Sequence, residues 1–106
     1  MATFGEMISE KRRALDLSQR ELAARILKED GTPISPQYLN DLERDRRNAP
    51  SDHLINEFSR ELNIPKDALY LCAGEIPPDI RCLPVDQDVA VKAFKAFRRT
   101  LKDSDK

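Results

Sequence analysis

The sequence predicts an all-α protein, built as a five-helix domain followed by a C-terminal helix. Apolar residues recur at intervals of three and four along most of the chain, without the strict alternation that is typical of strands. Serine and threonine precede several of these stretches, where their side chains can cap a helix. Glycine is scarce, with 3 in 106 residues. These observations favour a helical fold throughout.

The first two helices are predicted from two capping boxes, the pattern in which Ser or Thr is followed three residues later by Glu. The first runs from Thr3 to Glu6 and predicts a helix from about residue 4 to 15. The second runs from Ser18 to Glu21 and opens the next helix. One side of that second helix is apolar and is expected to face the core, with Leu22, Ala23, Ile26 and Leu27.

The third helix is predicted after a turn of polar and breaker residues at 29–33. Ser35 is placed to cap it, and Pro36 falls at its first position, where a missing N–H costs nothing. We expect this helix to run to about Arg46, with Leu39 and Leu42 facing inward.

Two further helices complete the predicted domain of residues 1–74. Ser51 caps the fourth, whose apolar stripe comprises Leu54, Ile55, Phe58 and Leu62. Pro65 begins a short fifth helix, which Gly74 ends.

The remaining residues predict a connector and one more helix. Residues 75–85 contain three prolines and are expected to be extended. The segment 86–106 follows, with a helix from about 86 to 102. On it, one narrow apolar seam, at spacings of i, i+4, i+7 and i+11, comprises Ala90, Phe94, Phe97 and Leu101.

Composition excludes several classes of protein. The formal net charge is −1, which argues against a simple polybasic nucleic-acid binder. No apolar run is long enough for a membrane span, and the N-terminus lacks the apolar core of a signal peptide. Two cysteines, Cys72 and Cys82, are too few for a four-ligand zinc site, and we expect reduced thiols in a cytoplasmic protein, although a disulfide between them stays an alternative.

No set of residues predicts catalysis, a cofactor or a metal. His53 is the single histidine, and no serine or cysteine nucleophile has a credible partner set around it. We therefore expect His53 to be a surface residue and the protein not to be an enzyme.

Three segments, in order, indicate a function: residues 17–23 (LSQRELA), 34–44 (ISPQYLNDLER) and 46–51 (RRNAPS). Together they resemble the phage repressor and Cro-like helix-turn-helix family, also called the XRE family, over about residues 4–74. The resemblance implies a protein that binds double-stranded DNA. Its second helix needs a small residue where the third crosses it, and Ala23 fits that position.

In such a protein the leading turn of the third helix enters the major groove and presents polar groups to base edges. Gln37 can bond bidentately to adenine, and Asn40 can reach a base or a phosphate. Tyr38 offers a ring for a thymine methyl and a hydroxyl for a phosphate, while Arg44 can reach a phosphate. Helix starts favour phosphate, which adds three residues to the predicted contacts: Ser18, Gln19 and Ser35.

The resemblance also assigns roles residue by residue. It places the phosphate-contacting Gln on Gln19. Its base-reading positions fall on Pro36, Gln37 and Asp41. Asp41 can accept from cytosine N4 or can simply repel phosphate, and both alternatives stay open. The family's basic segment falls on Arg46, Arg47 and Asn48, and its structural ion pair between the first and third helices falls on Arg12 and Glu43.

The chain departs from the family pattern at two places. The segment between the second and third helices, residues 27–33, is about six residues longer than the resemblance leads one to expect. Asp45 stands where a glycine is usual. Residues 34–47 hold three basic and three acidic side chains, so we expect weak affinity from one copy.

The expected function is that of a transcriptional regulator, a repressor acting as a homodimer on an inverted-repeat operator. The apolar seam either packs on its own chain or pairs with a second copy, and we favour the dimer. The alternative is an interaction subunit, antitoxin-like or anti-repressor, whose C-terminal helix binds another protein and whose DNA contact is secondary.

Overall fold

A computed structural model describes residues 1–104, and the prediction of a C-terminal segment through residue 106 extends two residues beyond that range. The described chain is all-α, as predicted, with no strand. No helix among these residues combines the length and the apolar character that crossing a membrane requires. The helices are α1 (Phe4–Ala14), α2 (Gln19–Arg25), α3 (Pro36–Glu43), α4 (Asp52–Leu62), α5 (Lys66–Ala73), α6 (Pro78–Arg81) and α7 (Gln87–Asp103).

The predicted helix caps are confirmed. Thr3 Oγ1 accepts from the N–H of Glu6, whose carboxylate accepts from the N–H of Thr3, both at 3.1 Å. Ser18 and Glu21 form the same reciprocal pair ahead of α2. Serine hydroxyls also cap α3 and α4. Each cap satisfies backbone donors that a helix start otherwise leaves unpaired.

The core lies among α1–α5. Phe4 and Phe58 meet edge to face within it, with ring centroids 6.1 Å apart. Ile8, Leu39 and Leu69 belong to the same cluster and are completely buried. No residue of α6 or α7 is buried, so these helices add nothing to the core.

Helices α1 and α3 are joined closely at Gly5. A Cβ at this position would lie 2.4 Å from the carbonyl oxygen of Leu42 and 2.6 Å from that of Glu43. Just beyond α3, the Asp45 carboxylate accepts from the Gly5 N–H at 3.0 Å and from the Thr3 hydroxyl at 2.6 Å. Asp45 thus replaces the usual glycine with a side chain that binds the start of α1.

This contact explains why the third helix is shorter than predicted. It ends at Glu43 and not near Arg46, because Asp45 turns into the left-handed region with φ +58°. That conformation is uncommon outside glycine, although Asp tolerates it better than most residues. It directs the Asp45 side chain towards α1 and takes Arg46 out of the helix.

The lengthened segment between α2 and α3 is an ordered hairpin of residues 26–34. Leu27 and Pro33 form an antiparallel bridge, and the N–H of Lys28 donates to the carbonyl of Thr32 at 2.7 Å. Gly31 closes the turn with φ +88°. The prediction that Leu27 faces the core with its neighbours on α2 was wrong, since the bridge leaves its side chain exposed.

The connector is also more structured than predicted, since it contains the short helix α6. Arg81 fixes it by donating to the carbonyl of Ile76 through both Nε (3.2 Å) and Nη2 (2.9 Å), and Nη2 also lies 3.5 Å from Oδ1 of Asp52 in α4. Asp52 in turn accepts from the hydroxyl of Tyr70 at 2.7 Å.

Candidate nucleic-acid interface

The leading turn of α3 is open to solvent. Ser35, Pro36 and Gln37 are all exposed, while Leu39 and Leu42 anchor the other side of the helix in the core. Ala23 of α2 is buried, and α2 packs directly against α3. This arrangement is that of two crossing helices in which the second presents its first turn outward.

Behind that surface, an ion pair joins α1 to the end of α3. Arg12 donates to Glu43 through two nitrogens, with Nε 2.7 Å from Oε2 and Nη2 3.0 Å from Oε1. The remaining nitrogen, Nη1, donates to the carbonyl of Leu17 at 2.7 Å. Both side chains are almost completely buried. A bidentate pair of this kind fixes both partners in direction as well as distance.

Glu43 is held in its charged form. Burial alone would raise the pKa of its carboxyl, but hydrogen bonds from Arg12, Gln19 and Ser9 and the charge of Arg12 outweigh burial, so the pKa lies below the ordinary value. Glu43 is therefore an internal anion, neutralised by Arg12 and turned away from any ligand of α3.

The same carboxylate orients Gln19. The amide nitrogen of Gln19 donates to Oε1 of Glu43 at 3.0 Å and to Oδ1 of Asn40 at 3.2 Å. The structure thus brings together two predicted contact residues, one from α2 and one from α3, and both are half-buried. Their amide groups are fixed before any partner arrives.

Asp41 organises a second group of predicted residues. Its Oδ1 accepts from the amide nitrogen of Gln37 at 3.1 Å. Arg46 lies 4.0 Å from Oδ1 and Arg47 lies 3.9 Å from Oδ2. The Asp41 side chain is only 17% exposed, so its charge is largely occupied by three neighbours of its own chain.

Tyr38 lies between these groups and the core. The guanidinium carbon of Arg47 is 5.6 Å from the centre of its ring, a cation–π distance. Burial raises the pKa of the Tyr38 hydroxyl, and the charge of Arg47 opposes that shift. Arg47 therefore bridges Tyr38 and Asp41.

The other predicted contact residues stand apart from these groups. The hydroxyls of Ser18 and Ser35 accept from the N–H groups of Glu21 and Tyr38 as helix caps. The remaining three are exposed, and their side chains form no hydrogen bond or ion pair within the described residues: Pro36, Arg44 and Asn48.

Two residues to which the sequence analysis gave no such role hold the hairpin in place. His53 is partly exposed, and its Nε2 donates to the carbonyl of Leu27 at 2.9 Å. The buried carboxylate of Glu57 accepts from the Leu27 N–H at 3.1 Å and pairs with Arg60 at 2.6 Å. Glu57 lies beside the apolar stripe of α4 and not within it, so the sequence pattern carried no signal of this role.

Comparison with known proteins decides the family. A family model described as helix-turn-helix matches residues 8–69, which is more than half of the chain. This chain belongs to the XRE-type, Cro/C1-like helix-turn-helix family. No curated protein and no solved structure matched it.

The helix-turn-helix protein is therefore a DNA-binding transcriptional regulator in the general sense of its family. In helix-turn-helix proteins the second helix of the motif is the recognition helix, which is the position that α3 would occupy in this chain. The two departures noted in the sequence, the hairpin and Asp45, both fall inside the matched range and both form defined hydrogen bonds to helices.

The predicted dimerisation residues lie outside the matched range, on α7. Both cysteines also lie beyond it; they are free thiols, Cys72 half-buried with its sulfur 3.9 Å from that of Met7, and Cys82 exposed. The apolar seam of α7 is open to solvent, with Phe94 54%, Phe97 47% and Leu101 46% exposed.

Proposed function

We propose that this regulator is a repressor that binds an inverted-repeat operator as a homodimer in the cytoplasm. Each copy would place the first turn of α3 in a major groove. Two-fold symmetry would set the half-site centres about one helical turn, roughly 34 Å, apart. Occupying the operator would exclude other proteins from it.

The observation that carries the proposal is the exposed first turn of α3 backed by fixed polar side chains. Gln37 protrudes while Asp41 holds one of its amide hydrogens. The second amide hydrogen and the carbonyl oxygen remain for N7 and N6 of an adenine. Because the amide is already oriented, base recognition loses less side-chain entropy than it would from a freely rotating residue.

Phosphate contacts would position that turn. At the start of α2, the backbone N–H groups of Gln19 and Arg20 would donate to a phosphate, since the capping box uses those of Ser18 and Glu21 and the side-chain amide of Gln19 already donates to Glu43 and Asn40. Arg44 is exposed just after α3, and Arg46 and Arg47 follow it. These contacts fix the protein on the duplex without reading its sequence.

The exposed apolar side chains of the C-terminal part of the chain support the proposal of a dimer. Nine of the 13 large exposed hydrophobic residues fall between residues 76 and 101. A solvated 17-residue helix with an open apolar seam is marginal without a partner.

The matching occupant of this seam is a second copy of α7. Like would meet like across a two-fold axis, so Phe94 and Phe97 would pair with the same residues of the partner. Substituting both with Asp should give monomers in sedimentation equilibrium and weaken operator binding. Val89→Asp with Thr100→Asp, which places the same two charges about 100° around the helix from the seam, is the matched control.

The test of function is selection of bound sites from random duplex DNA. An enriched inverted repeat with half-sites about one turn apart supports the proposal, and failure to enrich any sequence contradicts it. The open seam also suits a different protein as partner. A non-self protein bound in stoichiometric amount through α7, together with monomeric behaviour of the pure chain, would favour an interaction subunit of the antitoxin or anti-repressor kind.

A further inference from the structure

Helix α7 has a second exposed surface, which is strongly basic. The helix holds five basic and two acidic residues, a formal charge of +3, while the rest of the chain sums to −4. All five basic side chains are exposed, and none forms an ion pair within residues 1–104. Four of them share one side, at spacings of i, i+3, i+7 and i+10, and form the basic face: Lys92, Lys95, Arg99 and Lys102.

The surface around α3 is much poorer in available positive charge. Arg12 forms a buried ion pair with Glu43, and Arg46 and Arg47 both lie within 4.0 Å of the Asp41 carboxylate. Arg44 is the one arginine of residues 34–47 that forms no ion pair among the described residues. Binding of a duplex, however, draws most of its salt-dependent free energy from cations placed against phosphates.

The basic face and the apolar seam point in different directions. At 100° per residue the centres of the two surfaces are separated by roughly 150° around the helix. Pairing of two α7 helices through the seam therefore leaves both basic faces open. Along the helix axis the basic face extends over about 15 Å, since ten residues separate Lys92 from Lys102. That length is comparable to about four base pairs of duplex, at 3.4 Å for each phosphate of a strand.

We propose that the basic face of α7 binds the sugar–phosphate backbone of the operator, beyond the bases read by α3. This inference rests on the proposed dimer and deepens it. The seam joins the two copies, and the basic faces supply the electrostatic contacts that the α3 surface lacks. The contacts raise affinity and salt dependence but carry no base preference.

An anionic membrane surface is the competing ligand for an amphipathic basic helix. Such binding inserts the apolar side of the helix into the lipid. The same side cannot at once pair with a second copy. A duplex needs only the basic face, and it is therefore the ligand that fits the dimer.

The experiment compares two double variants of the full chain on a duplex enriched by selection. Lys95→Gln with Arg99→Gln removes two charges from the basic face. Lys11→Gln with Lys66→Gln removes two charges beside α5. Lys66 is the first residue of α5. Lys11 lies one helical turn after Met7, whose sulfur contacts Cys72 of α5. Glutamine keeps helix propensity close to that of Lys and Arg.

The measured quantity is the slope of log Kd against log salt concentration. The basic-face variant should lower its magnitude by about 0.9 for each lost phosphate contact, or about 3.6 for a dimer, with the base preference unchanged. The α5 variant should match the unsubstituted protein. Sedimentation should show both variants as dimers.

An equal slope for the basic-face variant and the unsubstituted protein overturns the inference while leaving the proposed function intact. A basic-face variant that becomes monomeric also overturns it, because the two surfaces would not be separate. Binding of the unsubstituted protein to phosphatidylserine vesicles, lost in both the seam and the basic-face variants, would assign the helix to a membrane surface. If no duplex is enriched at all, the inference and the proposed function fail together.

Discussion

The carboxylate of Asp45 accepts a hydrogen bond from the backbone N–H of Gly5, with 3.0 Å between Oδ1 and N. These two residues join the exit of α3 to the entry of α1, 40 positions away. Asp45 adopts a left-handed backbone to reach that position. It also brings a negative charge to the N-terminal end of a helix, where such a charge is favourable. The departure from glycine at this position is thus a capping interaction.

Two substitutions of Asp45 distinguish the stability gained from its hydrogen bond to Gly5 from the stability lost to its left-handed backbone. Asp45→Ala loses the cap and keeps the left-handed backbone, so we expect a loss of about 1–3 kcal/mol in the free energy of unfolding. Asp45→Gly also loses the cap but relieves the strain, so its loss should be smaller by about 1 kcal/mol. Urea denaturation measures both. A glycine variant that is no more stable than the alanine variant would contradict this account.

The Arg12–Glu43 pair gives a larger effect because it is buried. Arg12→Met leaves the Glu43 carboxylate without its cation, and we expect a loss of about 3–5 kcal/mol in the free energy of unfolding. Arg12→Met combined with Glu43→Leu should cost less than the sum of the two single variants, since no unpaired charge remains. Urea denaturation of all four proteins closes the double-mutant cycle. Additive losses would mean that the pair has no coupling.

The same pair predicts that the free energy of unfolding decreases at acidic pH. The pKa of Glu43 is lower in the folded protein than its ordinary value of 4.5. Its contribution is therefore complete above pH 4.5 and is lost as the pH falls through the folded pKa. The advantage of the unsubstituted protein over Glu43→Gln should shrink in that acidic range. Denaturation series at several pH values measure it, and a constant difference would be inconsistent with a charged Glu43.

Tyr70 predicts that the free energy of unfolding decreases at alkaline pH. Burial, together with its hydrogen bond to Asp52, raises the pKa of Tyr70 to about 12. The folded pKa exceeds the ordinary 10.0, so its contribution is complete below pH 10 and is lost as the pH rises through about 12. Tyr70→Phe should remove the late-titrating phenol from an ultraviolet absorbance titration and cost about 0.5–1.5 kcal/mol. Tyr38 does not contact Asp52, so Tyr38→Phe should leave the late titration of the Tyr70 phenol in place.

Gln37 tests how the recognition helix reads DNA. Gln37→Ala should weaken binding to the selected operator by about 1–3 kcal/mol and relax preference at one base pair. Arg44→Gln should weaken binding to every duplex alike, because a phosphate contact carries no base information. Quantitative binding to single-base variants of the operator distinguishes the two patterns. An unchanged base preference in Gln37→Ala would assign base reading to other residues.

The sequence by itself determined the helices of the domain and the residues that begin them. Thr3, Ser18, Ser35 and Ser51 each cap a helix through a backbone N–H three positions away. Such interactions depend only on neighbouring residues, and apolar spacing at three and four residues fixes the buried side of each helix. The family followed from the same local patterns.

Tertiary structure alone decided the interactions between residues far apart in the chain. The left-handed turn at Asp45 depends on Gly5, and the hairpin depends on His53 and Glu57 of α4, which no local pattern connects to Leu27. The packing that leaves α7 outside the core is likewise a property of the whole chain. The physical reason is that each of these contacts joins segments separated by at least 26 positions, so its geometry exists only once the core has brought the helices together.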